Sequence, residues 1–290
     1  MRSSCSPIPA CKNGRRTLQK EKHMPDSIQF DPGSKIKLAD IPTRIETEDF
    51  DKKSAYKQIE KNAVVMAEHA RRLYAENKTS ILLVLQGMDT AGKDGTIRTV
   101  MRGVNPRSCQ VVSFKKPSEV ELDHDFLWRV HKAVPRRGNI GIFNRSHYEE
   151  VLVVRVHNLV PEKKWKGRYE LLNNFEKLLT ECDTKIVKCF LHISKEEQRE
   201  RLQARIDDPN KHWKFNRGDI DERKLWPKYH EAYEDALNKC NTKHAPWHII
   251  PSDRKWYRNL TVSNLMRKTL EKLDPQFPSV DEDYTGLKIV

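Results

Sequence analysis

The segment Gly87-Met88-Asp89-Thr90-Ala91-Gly92-Lys93-Asp94-Gly95 constrains this chain most, because it follows the apolar run 80–86 and precedes a helical pattern through 96–101. A G-x-x-x-x-G-K stretch between a strand and a helix folds so that backbone N–H groups surround phosphate oxygens. The helix N-terminus adds partial positive charge and Lys93 a full one. Gly87, Met88, Thr90, Ala91, Gly92, Asp94 and Gly95 are therefore expected to line a phosphate cradle, with Asp89 and Lys93 taking part in its chemistry. An ordinary glycine-rich turn would leave Lys93 unexplained. The Ser or Thr that usually follows the lysine is Asp94 here, and Asp89 is a second acid inside the loop. Two carboxylates beside a phosphate repel it unless a divalent cation bridges them. Mg²⁺ is thus the expected cofactor, with Mn²⁺ as its substitute. Asp89 is the better candidate ligand, and Asp94 is alternatively a helix-start acid favoured by the dipole.

Five apolar runs of strand length, 80–86, 110–114, 139–143, 185–193 and 247–251, alternate with longer helical patterns. That rhythm predicts an α/β fold, a parallel sheet with helices on both faces. A helix over 51–77 should bury Ile59, Ala63, Met66, Ala70 and Leu73 as one stripe. Residues 25–274 read as a single domain, preceded by a disordered tail or added leader over 1–24 and followed by a surface tail over 275–290. Within the domain, residues 195–228 interrupt the strand rhythm around Asp207-Asp208-Pro209-Asn210-Lys211 and are expected to form a lid.

The run 139–143 exits into Asn144-Arg145-Ser146-His147-Tyr148-Glu149-Glu150. Ligands of α/β sheets bind at such carboxyl ends. Asn144 stands where a metal-holding Asp would normally lie, and Glu149 or Glu150 is expected to compensate, Glu150 joining Asp89 as a candidate metal ligand. Arg145 suits a phosphate clamp; the alternative is a helix-start ion pair with Glu149. In the lid, Arg201 and Arg205 are four apart on one helical face and are candidates to close over phosphates, while Leu202 and Ile206 share the expected buried stripe. Against that, residues 195–228 hold ten Lys/Arg and eight Asp/Glu, enough for mutual neutralisation. Arg98, Arg102, Arg107, Lys115 and Lys116 form a basic series suited to a long polyanion. Trp213, Trp226 and Trp247 are candidates either for base stacking or for the core.

The net charge of +13 suits a polyanionic ligand, and residues 1–24 supply +5 of it from six Lys/Arg and one Glu. No apolar run approaches the roughly 20 residues of a membrane span, and no apolar signal core opens the chain. A cytoplasmic location is expected. Six cysteines without C-x-x-C spacing argue against a zinc site or a disulfide framework.

Together, GMDTAGKDG, KPSEVELDHDFLWRVH, IGIFNRSHYEEVLVVRVH, RLQARIDDPNKHWKFNRGD and APWHIIPSDRKWYRNL, in this order over about 41–273, resemble the polyphosphate kinase 2 family. The resemblance implies a three-layer α/β/α P-loop fold like that of nucleotide kinases, with a helical lid. It also implies Mg²⁺, a homo-oligomer (dimer or tetramer), and phosphoryl transfer between inorganic polyphosphate and AMP, ADP or ATP, with no membrane or nucleic-acid partner. Asp89, Lys93, Arg145 and either Arg201 or Arg205 match the family's catalytic positions. FNRSHYE, in place of the FDRSWYN of one class, resembles the class that accepts both mono- and diphosphates. That difference puts Asn144 in doubt as a metal ligand and points to Glu149 and Glu150 for nucleotide or metal placement. Two other functions share the cradle: an ATP-dependent nucleoside or nucleotide kinase, and a non-catalytic polyanion-binding protein.

Overall fold

The computed structural model describes residues 25–48 and 50–289; the tail or leader expected over 1–24 lies outside them, as do Cys5 and Cys11. The strands β1 (Ser80–Gln86), β2 (Cys109–Ser113), β3 (Ile140–Asn144), β4 (Thr184–His192) and β5 (Trp247–Pro251) form one parallel sheet in the order β2-β3-β1-β4-β5. Each expected run lies within one residue of its strand. Central parallel strands are covered on both faces and so read as continuous apolar runs; all of β1 is buried. Leu85 pairs with Asn144 of β3 on one side and Cys189 of β4 on the other. The chain leaving β1 therefore enters the crevice between the carboxyl ends of β3 and β4, where the strand order reverses and ligands bind.

The helices are α1 (Lys52–Glu76), α2 (Lys93–Val100), α3 (Glu119–Leu122), α4 (Trp128–Ala133), α5 (Val153–Val156), α6 (Glu162–Glu181), α7 (Lys195–Ile206), α8 (Gly218–Lys224), α9 (Trp226–Lys239) and α10 (Lys255–Leu273). α1, α2 and α10 pack as one group, and α5 packs with both α6 and α9. α1 starts where the Asp51 side chain accepts from the Ser54 N–H while the Ser54 hydroxyl accepts from the Asp51 N–H, and it stops at Asn77 in the left-handed region. The stripe Ile59, Ala63, Met66, Ala70 and Leu73 is buried along it, and each of its large side chains contributes about 1.5–3 kcal/mol. α10 is enclosed by α1, α2, β4 and β5, which is why polar residues such as Arg258 and Asn259 near its start are buried.

Lys188 of β4 sits in the core with no exposed surface and donates to Glu176, Tyr148 and the Cys240 carbonyl. Burial alone would raise the Glu176 pKa, but Lys188 and His147 outweigh it and hold the carboxyl below its ordinary value. Trp247 lies against Lys188 in this core and Trp226 is also buried, leaving Trp213 as the exposed candidate for stacking. The expectation for Ile206 is corrected: Leu202 is buried, but Ile206 is 41% exposed. The end of α7 packs on the turn Pro209–Lys214 instead of the sheet, so its last residue has no core beneath it. Cys109, Cys182, Cys189 and Cys240 are free. No helix among the described residues is long and apolar enough to cross a membrane.

Candidate active site

β1 delivers Gly87 to a position only glycine fills. Its φ is +155°, and a Cβ would lie 2.8 Å from the Leu191 carbonyl oxygen. Gly92, with φ +102°, starts α2, and a Cβ there would fall 2.0 Å from Nη1 of Arg258. Between them Thr90 holds φ +65°, a strained conformation for a branched residue. Lys93 turns back over this loop and donates to the carbonyls of Gly87 at 2.7 Å and Met88 at 3.4 Å. Burial, reinforced by Arg145, pulls its pKa down to about 8, although Asp89, Glu149 and Asp94 act the other way. A phosphate arriving here would give Lys93 the strong counter-charge that those carbonyls lack.

Arg145 follows β3 with φ +60°, its N–H bonded to the Leu85 carbonyl at 3.1 Å. It donates to Asp89 at 2.6 Å and to Glu149 at 3.4 Å. Both pairings are present, and the shorter one crosses from β3 to the cradle. Burial would lower the Arg145 pKa, but Glu149 and Asp89 raise it further, so the guanidinium is permanently charged. Glu149 also accepts from Gln86 at 3.2 Å, and Gln86 in turn donates to Ser146 and accepts from Tyr233. Asn144 donates to Asp94 at 2.6 Å, placing a neutral amide against the acid that replaces the usual hydroxyl.

Other expected residues lie elsewhere. Glu150 is buried against Arg168 and, at 3.9 Å, Arg129; its pKa is raised by burial despite both arginines. Its pairing with Asp89 as a metal ligand is therefore corrected, because two guanidiniums already occupy the carboxylate. Arg201 does not reach over the cradle but braces its outer side. It donates to the carbonyls of Thr90, Ala91, Ser252 and Asp253, with its Nε on Glu197. Arg205 is 26% exposed and stays with the lid, donating to the Lys214 carbonyl and facing Asp219 at 3.6 Å.

The basic series is split by topology. β2 runs parallel to β1, so Arg102, beyond the far end of α2, and Arg107, just before β2, lie at the edge opposite the cradle. Arg102 faces Glu60 there at 3.8 Å. Lys115 and Lys116 follow β2 at the cradle's edge, and Arg98 is on the exposed side of α2.

Sequence reasoning misses Arg258 and Gln198. Gln198 donates to the Asp89 carbonyl at 3.0 Å, and Arg258 of α10 donates to the Ala91 carbonyl at 2.7 Å. Burial and Arg201 pull the Arg258 pKa down to about 9, which leaves it charged at neutral pH. The sequence carried one weak signal for it, an arginine within the first turn after β5, at the carboxyl edge where sites form. Among the described residues no three His, Cys, Asp or Glu side chains form a metal-holding group. Asp89, one-third exposed, and the exposed Asp94 flank the cradle, and these hard oxygen donors fit a divalent cation shared with phosphate oxygens.

Residues 49–278 match the family model described as Polyphosphate kinase 2 (PPK2). The chain is 55% identical over 206 residues to an AMP/ADP-polyphosphate phosphotransferase of Meiothermus ruber, covering 71% of this chain and 77% of that one. It is 44% identical over 259 residues to an ADP-polyphosphate phosphotransferase of Rhodopseudomonas palustris, covering 85% and 89%. The crystal structure of polyphosphate kinase 2 from Arthrobacter aurescens TC1 superposes with a TM-score of 0.85 at 39% identity, over 90% of this chain and 95% of that one. A match of this extent to one family model, with the same fold and a phosphate cradle at the expected strand exit, places the chain in the polyphosphate kinase 2 family.

Proposed function

We propose that this protein transfers a phosphoryl group directly between inorganic polyphosphate and a nucleotide, accepting both AMP and ADP. The observation that carries this is the juxtaposition of the Lys93 cradle with the Arg145–Asp89–Glu149 group at the carboxyl edge of the sheet. The names of the two relatives support the substrates, and the more similar of the two acts on AMP and ADP.

The cradle holds the end of the polyphosphate through its N–H groups and Lys93, while Lys115 and Lys116 attract the rest of the chain. The acceptor's terminal phosphate lies beside Arg145, whose guanidinium orients it for in-line attack on the end phosphorus. The P–O–P bond breaks as the new one forms, and the shortened polyphosphate leaves with the bonding electron pair. The attacking oxygen is already ionised, so no general base is needed. Lys93 and Arg145 offset the charge that develops on the transferring group, and Arg205 closes over it with the lid. Mg²⁺, held by Asp89 with Asp94 nearby, would neutralise phosphate charge and align donor and acceptor. Assembly as a homo-oligomer and a cytoplasmic location belong to the same reading.

The test supplies long-chain polyphosphate, Mg²⁺ and either ADP or AMP, without a nucleoside triphosphate, and separates the products by chromatography. ATP from ADP, and ADP followed by ATP from AMP, is the expected outcome. Nucleotide phosphorylation only when ATP is the donor would overturn the assignment, and ATP from ADP alone would remove the monophosphate.

A further inference from the structure

The cradle rests on two guanidiniums. Arg201 donates to the carbonyls of Thr90 at 2.9 Å and Ala91 at 3.2 Å, and Arg258 donates to Ala91 at 2.7 Å. The Ala91 carbonyl thus receives both. The described peptides contain no cis bond, and in a trans peptide the N–H points opposite to the C=O. Drawing the Ala91 carbonyl onto Arg258 therefore turns the Gly92 N–H away from it, toward the open side of the loop. Arg258 is itself fixed: its Nε and Nη2 both donate to Asn259, which is tied to Thr96 and Thr99 of α2. The guanidinium lies so close to the loop that a Cβ on Gly92 would overlap Nη1, and one on Gly95 would touch Nη2 at 3.6 Å.

The two arginines differ in charge balance. Arg201 is paired with Glu197 at 2.7 Å. Arg258 is 3% exposed, and its bonds go to one backbone carbonyl and one amide oxygen, both neutral. The Glu197 charge that reaches it is already bound to Arg201. Burying a cation without an anion opposes folding, so a neutral side chain of similar shape would serve a purely structural role better. The missing anion is supplied when phosphate enters the loop on the far side of the Ala91–Gly92 peptide.

We propose that Arg258 is a positioning residue for the donor: it aims the Gly92 N–H and is a standing positive charge beneath the cradle that polyphosphate neutralises. The inference rests on the reading of the 87–93 loop as the polyphosphate site. Its test uses the full chain, with inorganic tripolyphosphate as the probe, titrated calorimetrically without nucleotide into wild type, Arg258→Gln and Arg258→Lys. Loss of the buried positive charge beneath the loop should weaken binding about tenfold in Arg258→Gln. Arg258→Lys, which keeps the charge, should recover most of that loss, while ADP binding without tripolyphosphate stays within about threefold for both variants.

Thermal melts with and without tripolyphosphate add a readout that a structural role would not move, since the ligand-induced rise in Tm should shrink in Arg258→Gln. Wild-type affinity in Arg258→Gln would overturn the proposal. So would a lysine variant that binds no better than the glutamine variant while both melt like wild type. If Arg258→Gln does not fold, Arg258→Lys decides alone: affinity within about threefold of wild type supports the charge, and loss of binding in a folded protein overturns it. A wild type that binds ATP but no tripolyphosphate would sink the donor reading instead, and the same variants titrated with ATP would then judge Arg258.

Discussion

In the proposed mechanism Lys93 and Arg145 differ in charge state. Lys93, with its pKa pulled to about 8 by burial, is partly neutral in mildly alkaline solution when no ligand is bound. Polyanion binding favours its charged form, so binding takes up a proton and tripolyphosphate affinity should fall as pH rises through about 8. A pH series of calorimetric titrations would show this, and a flat profile to pH 9.5 would count against it. The same depressed pKa opposes folding most below pH 8, and that cost is relieved as pH rises toward the ordinary lysine value of 10.5. Arg145 stays charged throughout. Arg145→Lys keeps a cation but loses the fork that spans Asp89 and Glu149, so kcat should fall by about 10²–10³. The ion pairs it breaks are partly exposed and worth about 1 kcal/mol or less each, so a Tm drop of more than a few degrees would signal a structural role instead. Lys93, Asp89 and Arg145 are legible in the sequence because their motif is contiguous or ends a strand. The bracing by Arg201 is not legible, since its partners at 90, 91, 252 and 253 come together only in three dimensions.

Among the elements, the strands are the most legible, because burial on both faces turns the middle of β1 into an unbroken apolar run and leaves β4 largely apolar around its buried Lys188. α1 is equally plain, with Asp51 and Asn77 marking its ends. Helix faces without a core beneath them are not: periodicity groups Leu202 with Ile206, yet Leu202 is buried and Ile206, at the end of α7, is exposed. Arg201 and Arg205, on one helical face, are likewise parted, the first under the loop and the second in the lid. The loop-to-α2 junction yields a sharp test. Gly92→Ala meets both an unfavourable φ and the Arg258 guanidinium, so it should destabilise the protein by about 1–3 kcal/mol in urea unfolding and abolish tripolyphosphate binding. Retained stability and binding would mean that the close approach of α10 to the cradle is not a constraint.

Over the whole molecule, the net charge of +13 gives the right class of ligand without its path. Parallel strands put Lys115 and Lys116 on the cradle's edge and Arg102 and Arg107 on the opposite one, a division that sequence adjacency conceals. Polyphosphate binding should weaken with salt as counterions are released. Replacing Lys115 and Lys116 together by alanine should reduce the slope of log affinity against log salt by about 1–2, and replacing Arg102 and Arg107 should leave it nearly unchanged. Equal effects from both pairs would mean that the chain wraps across both edges. Direct transfer from polyphosphate to nucleotide at the Lys93 cradle is tested by mixing end-labelled ³²P-polyphosphate with ADP and Mg²⁺, without other nucleotides, and acid-quenching over time for wild type and Lys93→Met. Label should pass into ATP with none held on the protein, and at least about 10²-fold more slowly in a folded Lys93→Met. Label that first accumulates on the protein and then moves to ADP, or undiminished transfer by Lys93→Met, would contradict it.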